Sequence, residues 1–394
     1  MKVDREQLLE NGYIIRRNVI PAGELERIRG SFETLVERQK AIWARDGSDI
    51  WETGAQPRLG SYERLIDEKT ADTVELWQRD STLGVARQLL SVPDRASVGG
   101  MMMMCSPQGD HGPAAWHRDI HPLDMAPMVV LQADLIENGP KYLQWNLPLY
   151  DDVVFWAVPG SHLRPNTDQE NRQLVENPRV PLPGGVPIEL NAGDGVVYVN
   201  YLLHWGSDYN HKMRRTVHGG HSIFPYYSET SFMRHLSSAG RATFQAWDRR
   251  STEAQDLTER ALRAVLGGDA TAFRESIEGL QPGAGARAKL VLAIYLSKSA
   301  YHVFVNKQAT DFEPRWAADG EHSITINWGP QFADRFTASE AKQLWEKFSD
   351  LDRHLRSDED QFVPGYQNRQ PMPYYFEEMA PNFGVEEFIA SWAA

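Results

Sequence analysis

The chain is short of cysteine, of net positive charge and of long apolar runs, and each shortage excludes something. Cys105 is the only cysteine in 394 residues, so no internal disulfide can form and the fold cannot rest on a disulfide framework. Lys and Arg total 41 against 54 Asp and Glu, a net charge of −13. That balance argues against a nucleic-acid surface, which needs a basic footprint, although it leaves room for a local basic pocket. No stretch of about 18 uninterrupted apolar residues occurs, so an ordinary transmembrane helix is excluded. Met1 to Gly12 is charged and carries no apolar run, so no signal peptide is expected. The expectation is a soluble, acidic, cytoplasmic protein.

What is present suits a packed core, with 41% hydrophobic and 24% charged residues. Arg5–Asn11 reads as a short helix ending at Gly12, and Tyr13-Ile14-Ile15 as a brief strand. A long amphipathic helix after Pro21 places Leu25, Ile28, Phe32, Leu35 and Val36 on one face. Residues 44–62 lack periodicity and read as a loop, and Ser81 reads as the N-cap of a helix through Leu90.

From Ala96 the texture becomes short apolar runs punctuated by Gly, Pro, Asn and Asp. The expected strands are Val98–Cys105, Met128–Ile136, Tyr142–Leu149, Val153–Val158, Val186–Leu190, Val196–Leu203 and Arg215–Phe224, as in a sandwich or barrel. The Met101–Met104 run fits a strand buried on both faces, with Cys105 an inert core thiol. Gly193-Asp194-Gly195 marks a turn feeding a strand. After Ser228 the texture turns helical over Thr252–Leu266, Ala270–Leu280, Ala286–Val305, Ala338–Arg356 and Val385–Trp392. The domains expected are 1–228, a β core with N-terminal helices, and 229–394, a mostly helical extension.

The chemistry concentrates in the β region. The chain has 12 His, of which six lie between His111 and His221. In Trp116-His117-Arg118-Asp119, an extended backbone puts His117 and Asp119 on the same side, where they can converge on one ion. A later strand ends in Leu203-His204, supplying a second imidazole. Two His and one carboxylate on one face make the facial triad of non-haem Fe(II) oxygenases, which leaves coordination positions open. Arg214 and Arg215 follow at the start of the next expected strand. A guanidinium there can clamp a dicarboxylate bidentately, which a lysine does less well.

These stretches, taken in order, resemble the phytanoyl-CoA dioxygenase family of Fe(II)/2-oxoglutarate-dependent oxygenases. The resemblance is carried by Glu10 to Ile20 with Glu24 to Arg29, by Trp116-His117-Arg118-Asp119 with Val158-Pro159-Gly160-Ser161-His162, and by Ala192-Gly193-Asp194 with His204 to Asn210 and Arg214-Arg215. It spans roughly residues 8–225; the C-terminal helical region has no counterpart in it. It implies a double-stranded β-helix (a jelly-roll, cupin-like) flanked by helices. It also implies Fe(II), 2-oxoglutarate and O2 as cofactor and cosubstrates, and a small organic molecule oxidised, most simply hydroxylated, at an unactivated C–H with release of succinate and CO2. By the resemblance His117, Asp119 and His204 match the iron ligands. Arg215, 11 residues after His204, matches the cosubstrate arginine. The chain departs from the family in having Trp205 between His204 and Gly206; if that residue is a bulge the count shifts and Arg214 takes the role. The retained Asp119 argues against halogenation, where a small residue replaces the carboxylate.

Gln144 and Asn146 share one face of their strand and either reach into the cavity toward 2-oxoglutarate or face solvent. His121, His162 and His111 read as loop or pocket residues rather than ligands. His218 and His221 lie on opposite faces of one strand, so one of them can face the cavity. Trp116 and Trp205 flank ligands and are candidates to wall the pocket, while Asp110 and Arg118 read as rim charges. Desaturation, epoxidation or ring formation at the same site, and a non-catalytic ligand-binding jelly-roll, are the competing functions; intact ligands speak against the last. The expected partner is a small-molecule substrate, with no nucleic acid and no membrane. The C-terminal helices are candidates for a lid, a buttress or a homodimer interface, with dimerisation or buttressing preferred.

Overall fold

A computed structural model describes residues 3–121, 125–209, 213–307, 328, 330–367, 370–380 and 383–393. The chain runs through α1 (Arg5–Asn11), β1 (Tyr13–Arg16), α2 (Ala22–Arg45), α3 (Ile50–Thr53), β2 (Arg58–Gly60), α4 (Asp72–Glu75), α5 (Leu83–Leu89) and β3 (Ser97–Cys105). It continues with α6 (Met128–Asn138), β4 (Tyr142–Pro148), β5 (Phe155–Ala157), α7 (Asp168–Glu176), β6 (Val186–Pro187), β7 (Gly195–Tyr198), β8 (His204–Gly206) and β9 (Arg215–Ser222). Helices α8 (Ser238–Gly267), α9 (Ala270–Leu280), α10 (Ala286–Lys307), α11 (Ala338–Leu355) and α12 (Val385–Trp392) follow. Among the described residues no helix is long and apolar enough to cross a membrane.

Two compact units result, 1–119 with 142–247, and 120–141 with 248–394. Residues 120–141, which the sequence reading kept with the β region, thus fall in the helical unit, and the first unit runs on to Trp247. The first unit holds two antiparallel sheets, one of six strands in the order β1-β7-β4-β9-β3-β2 and one of three in the order β6-β5-β8. Alternation sorts the six-stranded sheet into two faces. Leu143, Trp145 and Leu147 of β4 share a side with Val217 and His221 of β9, while Gln144 and Asn146 share the other with Gly220 and His218. Helix α2 lies on the Leu143 side, where Arg29 donates to the Leu149 carbonyl at 2.6 Å and Glu33 pairs with Arg215. Its apolar stripe, Ile28, Phe32, Leu35 and Val36, is fully buried as its spacing demands.

The methionine run forms β3, with Met103 inaccessible and Met101 and Met104 nearly so. The turn before β7 depends on Gly193: φ is +85°, and a Cβ there would lie 2.5 Å from the Ile20 carbonyl oxygen. Asp194 secures it by accepting from the amides of Asn18 and Asn191 at 3.1 and 2.9 Å. The stretch 44–62 is not all loop, since α3 and β2 lie within it. Thr82, not Ser81, precedes α5, and Ser81 Oγ bonds the Val19 carbonyl instead.

The expected strand Met128–Ile136 is instead helix α6, in the second unit. Its valines and isoleucine favour strands locally, but Met128, Val130, Leu131, Asp134 and Leu135 recur at helical spacing and are the buried ones. Val129 and Ile136 are left exposed. In that unit α10 is buried almost all round, from Leu290 to Ala300 without interruption. Phe273 of α9, Phe348 of α11 and Phe388 and Trp392 of α12 pack against one another edge-on or tilted, and Thr337 with Glu340 forms a capping box at the start of α11.

Candidate metal centre

The site is built by a backbone bridge. His117 N donates to the His204 carbonyl and His204 N to the His117 carbonyl, both at 2.9 Å. Two residues on, Asp119 N donates to the Asn200 carbonyl at 2.8 Å and Asn200 Nδ2 to the Asp119 carbonyl at 3.0 Å. The extended backbone so held turns His117 and Asp119 to the same side, as their i, i+2 spacing requires. A donor atom from each of His117, Asp119 and His204 lies within 4.8 Å of the other two. Among the described residues no other His, Cys or carboxylate joins the group, so His121 and His162 stand outside it.

The donor orientation suits a cation. His117 Nδ1 and His204 Nδ1 each face a main-chain carbonyl, Ala115 O at 2.9 Å and Leu202 O at 2.8 Å. Both rings therefore carry the proton on Nδ1 and present Nε2 as a lone pair. His117 Nε2 lies 3.6 Å from Asp119 Oδ1 and His204 Nε2 lies 3.5 Å from Asp119 Oδ2. Those gaps exceed a good hydrogen bond and come near the separation of about 3 Å between neighbouring ligands at bond lengths of about 2.1 Å. Burial pushes His204 down to about 4, with His117 adding to it, so the imidazole stays neutral as a ligand must. Burial alone would raise the Asp119 carboxyl, but His204, His117 and a bond from Gln144 outweigh it and hold it low. Phe155 and Tyr198 pack their rings 5.5 and 5.3 Å from that of His204.

Gln144 and Asn146 are buried, on the sheet face that also carries His218, rather than turned to solvent. Gln144 Nε2 donates to Asp119 Oδ2 at 2.8 Å, and Asn146 Oδ1 accepts from His218 Nδ1 at 2.8 Å. The two arginines part company. Arg214 precedes β9 in phase with Thr216 and His218; its Nε donates to Asp152 Oδ2 at 2.9 Å, and Thr216 Oγ1 donates to the same oxygen at 2.9 Å. Its Nη1 is buried without a hydrogen-bond partner, and it lines a pocket with Asp152 and Ser207. Arg215 points to the opposite face, toward α2. It forms an ion pair with Glu33, Nε lying 2.9 Å from Oε1 and Nη2 donating to Oε2 at 3.3 Å, and its Nη1 donates to the Arg214 carbonyl at 2.9 Å.

Three residues on the cavity side were missed or undervalued by the sequence reading. Arg58 of β2 shares its ladder with Met104 and, through it, Thr216; its charge bears on Tyr198 and His218, and its hydrogen bonds go to Gln56. Tyr142 and Tyr198 sit in phase with Gln144 on paired strands, and burial raises both phenols. Their signal was strand phase, which is readable only once the pairing is known.

Other candidates fall away. Trp116 and Trp205 do not wall the pocket: they stack on each other at 5.2 Å within a core of Val158, Leu174, Leu182 and Leu203. His162 is fully buried and donates from Nε2 to the Leu9 carbonyl at 2.9 Å. His221 packs against Trp77 and bonds its carbonyl at 3.0 Å, leaving His218 as the cavity histidine. Asp110 is an exposed loop residue, but Arg118 is completely buried rather than a rim charge.

The crystal structure of AviO1 from Streptomyces viridochromogenes Tue57 is 21% identical over 56% of this chain and 96% of that one, with a TM-score of 0.40. HygX from Streptomyces hygroscopicus, with nickel and 2-oxoglutarate bound, is 15% identical over 58% and 91%, with a TM-score of 0.40. EctD from S. alaskensis is 12% identical over 55% and 75%, with a TM-score of 0.39. No curated protein matches the chain. The family model for phytanoyl-CoA dioxygenase (PhyH) matches residues 8–216, more than half of the chain and the whole span from β1 to both arginines. The chain therefore belongs to the phytanoyl-CoA dioxygenase family of non-haem Fe(II)/2-oxoglutarate-dependent oxygenases.

Proposed function

We propose that this oxygenase hydroxylates an unactivated C–H bond of a small organic molecule, converting substrate, 2-oxoglutarate and O2 into the alcohol, succinate and CO2. The observation that carries the reading is the convergence of His117, Asp119 and His204, with both imidazoles locked as Nε2 donors. These three residues hold Fe(II), which when bound supplies the oxidising chemistry. Gln144 holds Asp119 Oδ2, which orients the carboxylate and steadies its charge.

Arg214 binds the far carboxylate of 2-oxoglutarate, in place of Arg215. Its free Nη1 is the donor for that bond, while Asp152 fixes the guanidinium through Nε. Arg58 adds a second positive charge on the same face, and Asn146 with His218 lines the side nearest the substrate. The two antiparallel sheets support a jelly-roll core around this cavity.

The test is an anaerobic titration with Fe(II) and then 2-oxoglutarate, followed by the weak visible charge-transfer band of the ternary complex. The native protein is expected to develop the band and His117→Ala to lack it. Iron binding without a band on adding 2-oxoglutarate would overturn the cosubstrate reading. Product mass then separates oxygen insertion from loss of two hydrogens.

A further inference from the structure

The pairing that assembles the metal centre is irregular, and one buried arginine sits where the irregularity is. His117 bridges His204 and Asp119 bonds Asn200, so the one residue between them on the first segment, Arg118, faces three on the other, Tyr201 to Leu203. Tyr201 to Leu203 leave this pairing as an irregular bulge, turned by Leu202 N on the Val199 carbonyl at 3.1 Å. A bulge frees main-chain carbonyls that a buried site must satisfy. Leu202 O meets His204 Nδ1 at 2.8 Å and so sets the ring that presents Nε2. Tyr201 O is met by Arg118 Nη1 at 2.8 Å.

Arg118 lies between the two ligands in sequence and points to the opposite side, as alternation requires. Its side chain is inaccessible to solvent and threads between three segments. Nη1 also donates to the Ser161 carbonyl at 2.7 Å, while Nη2 donates to Asn166 Oδ1 at 2.9 Å and the Arg164 carbonyl at 3.5 Å. Ser161 Oγ in turn accepts from Leu203 N at 2.9 Å, so the loop that Arg118 grips also holds the far end of the bulge.

We infer that Arg118 is a positioning residue for the metal centre, holding the bulge in the one shape that aims His204 at the Asp119 carboxylate. The rigid guanidinium fork serves two carbonyls from one nitrogen and an amide oxygen from another, which an ammonium cannot reproduce. Arg118 touches neither metal nor substrate in this role; it acts through Tyr201, Leu202 and His204. The inference rests on the metal-site reading above.

Co(II) serves as the probe, read by its visible absorption and by competition for affinity, without cosubstrate or turnover. Arg118→Lys and Asn166→Ala are the milder variants, and Arg118→Gln the stronger. The expected result is at least a tenfold weaker Co(II) affinity in Arg118→Lys, with altered visible bands, and a smaller loss in Asn166→Ala. A variant that is merely less stable would instead bind Co(II) with native affinity and spectrum while folded. That outcome in Arg118→Lys and Asn166→Ala would overturn the inference, whether or not Arg118→Gln folds. His117→Ala keeps the two readings apart: if it binds Co(II) as well as the native protein does, the metal site itself is wrong.

Discussion

His117 and His204, 87 residues apart in sequence, exchange both main-chain hydrogen bonds across an isolated bridge and bring their ring centroids to 4.3 Å. The ligand set thus shares one backbone platform, and its geometry depends on the segments that brace that platform.

Arg214 and Arg215 should separate cleanly in mutagenesis. Arg214→Ala is expected to raise the 2-oxoglutarate concentration needed for half-saturation by ten- to a hundredfold, roughly the 1.5–3 kcal/mol of a charged hydrogen bond. Arg215→Ala should leave cosubstrate affinity near native. It should instead lower stability by about 1–3 kcal/mol, because Glu33 loses its partner on a face that is only partly buried. Titration of 2-oxoglutarate beside chemical denaturation checks both; the reverse pattern would return the clamp to Arg215.

Acid should weaken the first unit through its buried histidines, opposed over the same range by Glu63, whose carboxyl burial raises to about 7. Burial pushes His162 and His221 down to about 4 from the usual 6.5. Between those values the unfolded chain takes up protons on these two rings that the folded chain refuses, so their contribution to stability is complete above pH 6.5 and is lost as pH drops to 4. Each ring accounts for up to about 3 kcal/mol across that window. Glutamine can still donate to the Leu9 carbonyl, so His162→Gln should flatten the pH dependence of the denaturation midpoint by about one proton. Parallel curves for native and variant protein would refute this.

Trp205 should behave as a core residue even though it follows a ligand. Trp205→Ala removes the stack on Trp116 and the edge contact with Trp156, and is expected to cost about 3–5 kcal/mol. In folded variant protein, Co(II) affinity should fall far less than in His204→Ala, which the same competition assay measures.

In the helical unit, Asp134 of α6 pairs with Lys141, and both side chains are 6% exposed. Asp134→Ala strands a buried ammonium and should cost about 3–5 kcal/mol, whereas Asp134→Leu with Lys141→Met should come close to neutral. Thermal denaturation of the single and double variants decides it; equal losses would mean that the pair is not the source of the cost.

Much of this protein was legible before its tertiary structure. The spacing of His117 and Asp119 forces them to one side of any extended segment, and the alternation of Leu143, Trp145 and Leu147 forces those three to one side of β4. Helices α9, α11 and α12 and the buried stripe of α2 follow from the same arithmetic at a period of 3.6. The site was therefore half written in local geometry.

Local geometry orders residues relative to their own neighbours and no further. It does not say which of two faces becomes the cavity, because that choice belongs to strands paired from distant sequence. Arg214 and Arg215 are equivalent on that criterion, and only the pairing of β9 with β3 and β4 put Arg214 inside and Arg215 against α2. Met128–Asn138 is β-prone in composition, yet its surroundings buried the helical stripe and overrode propensity. Arg118 reads as a surface charge until the bulge at Tyr201 to Leu203 supplies carbonyls for it to satisfy. In each case the deciding partner lies at least tens of residues away in sequence, and a one-residue change of phase reverses which side a side chain faces.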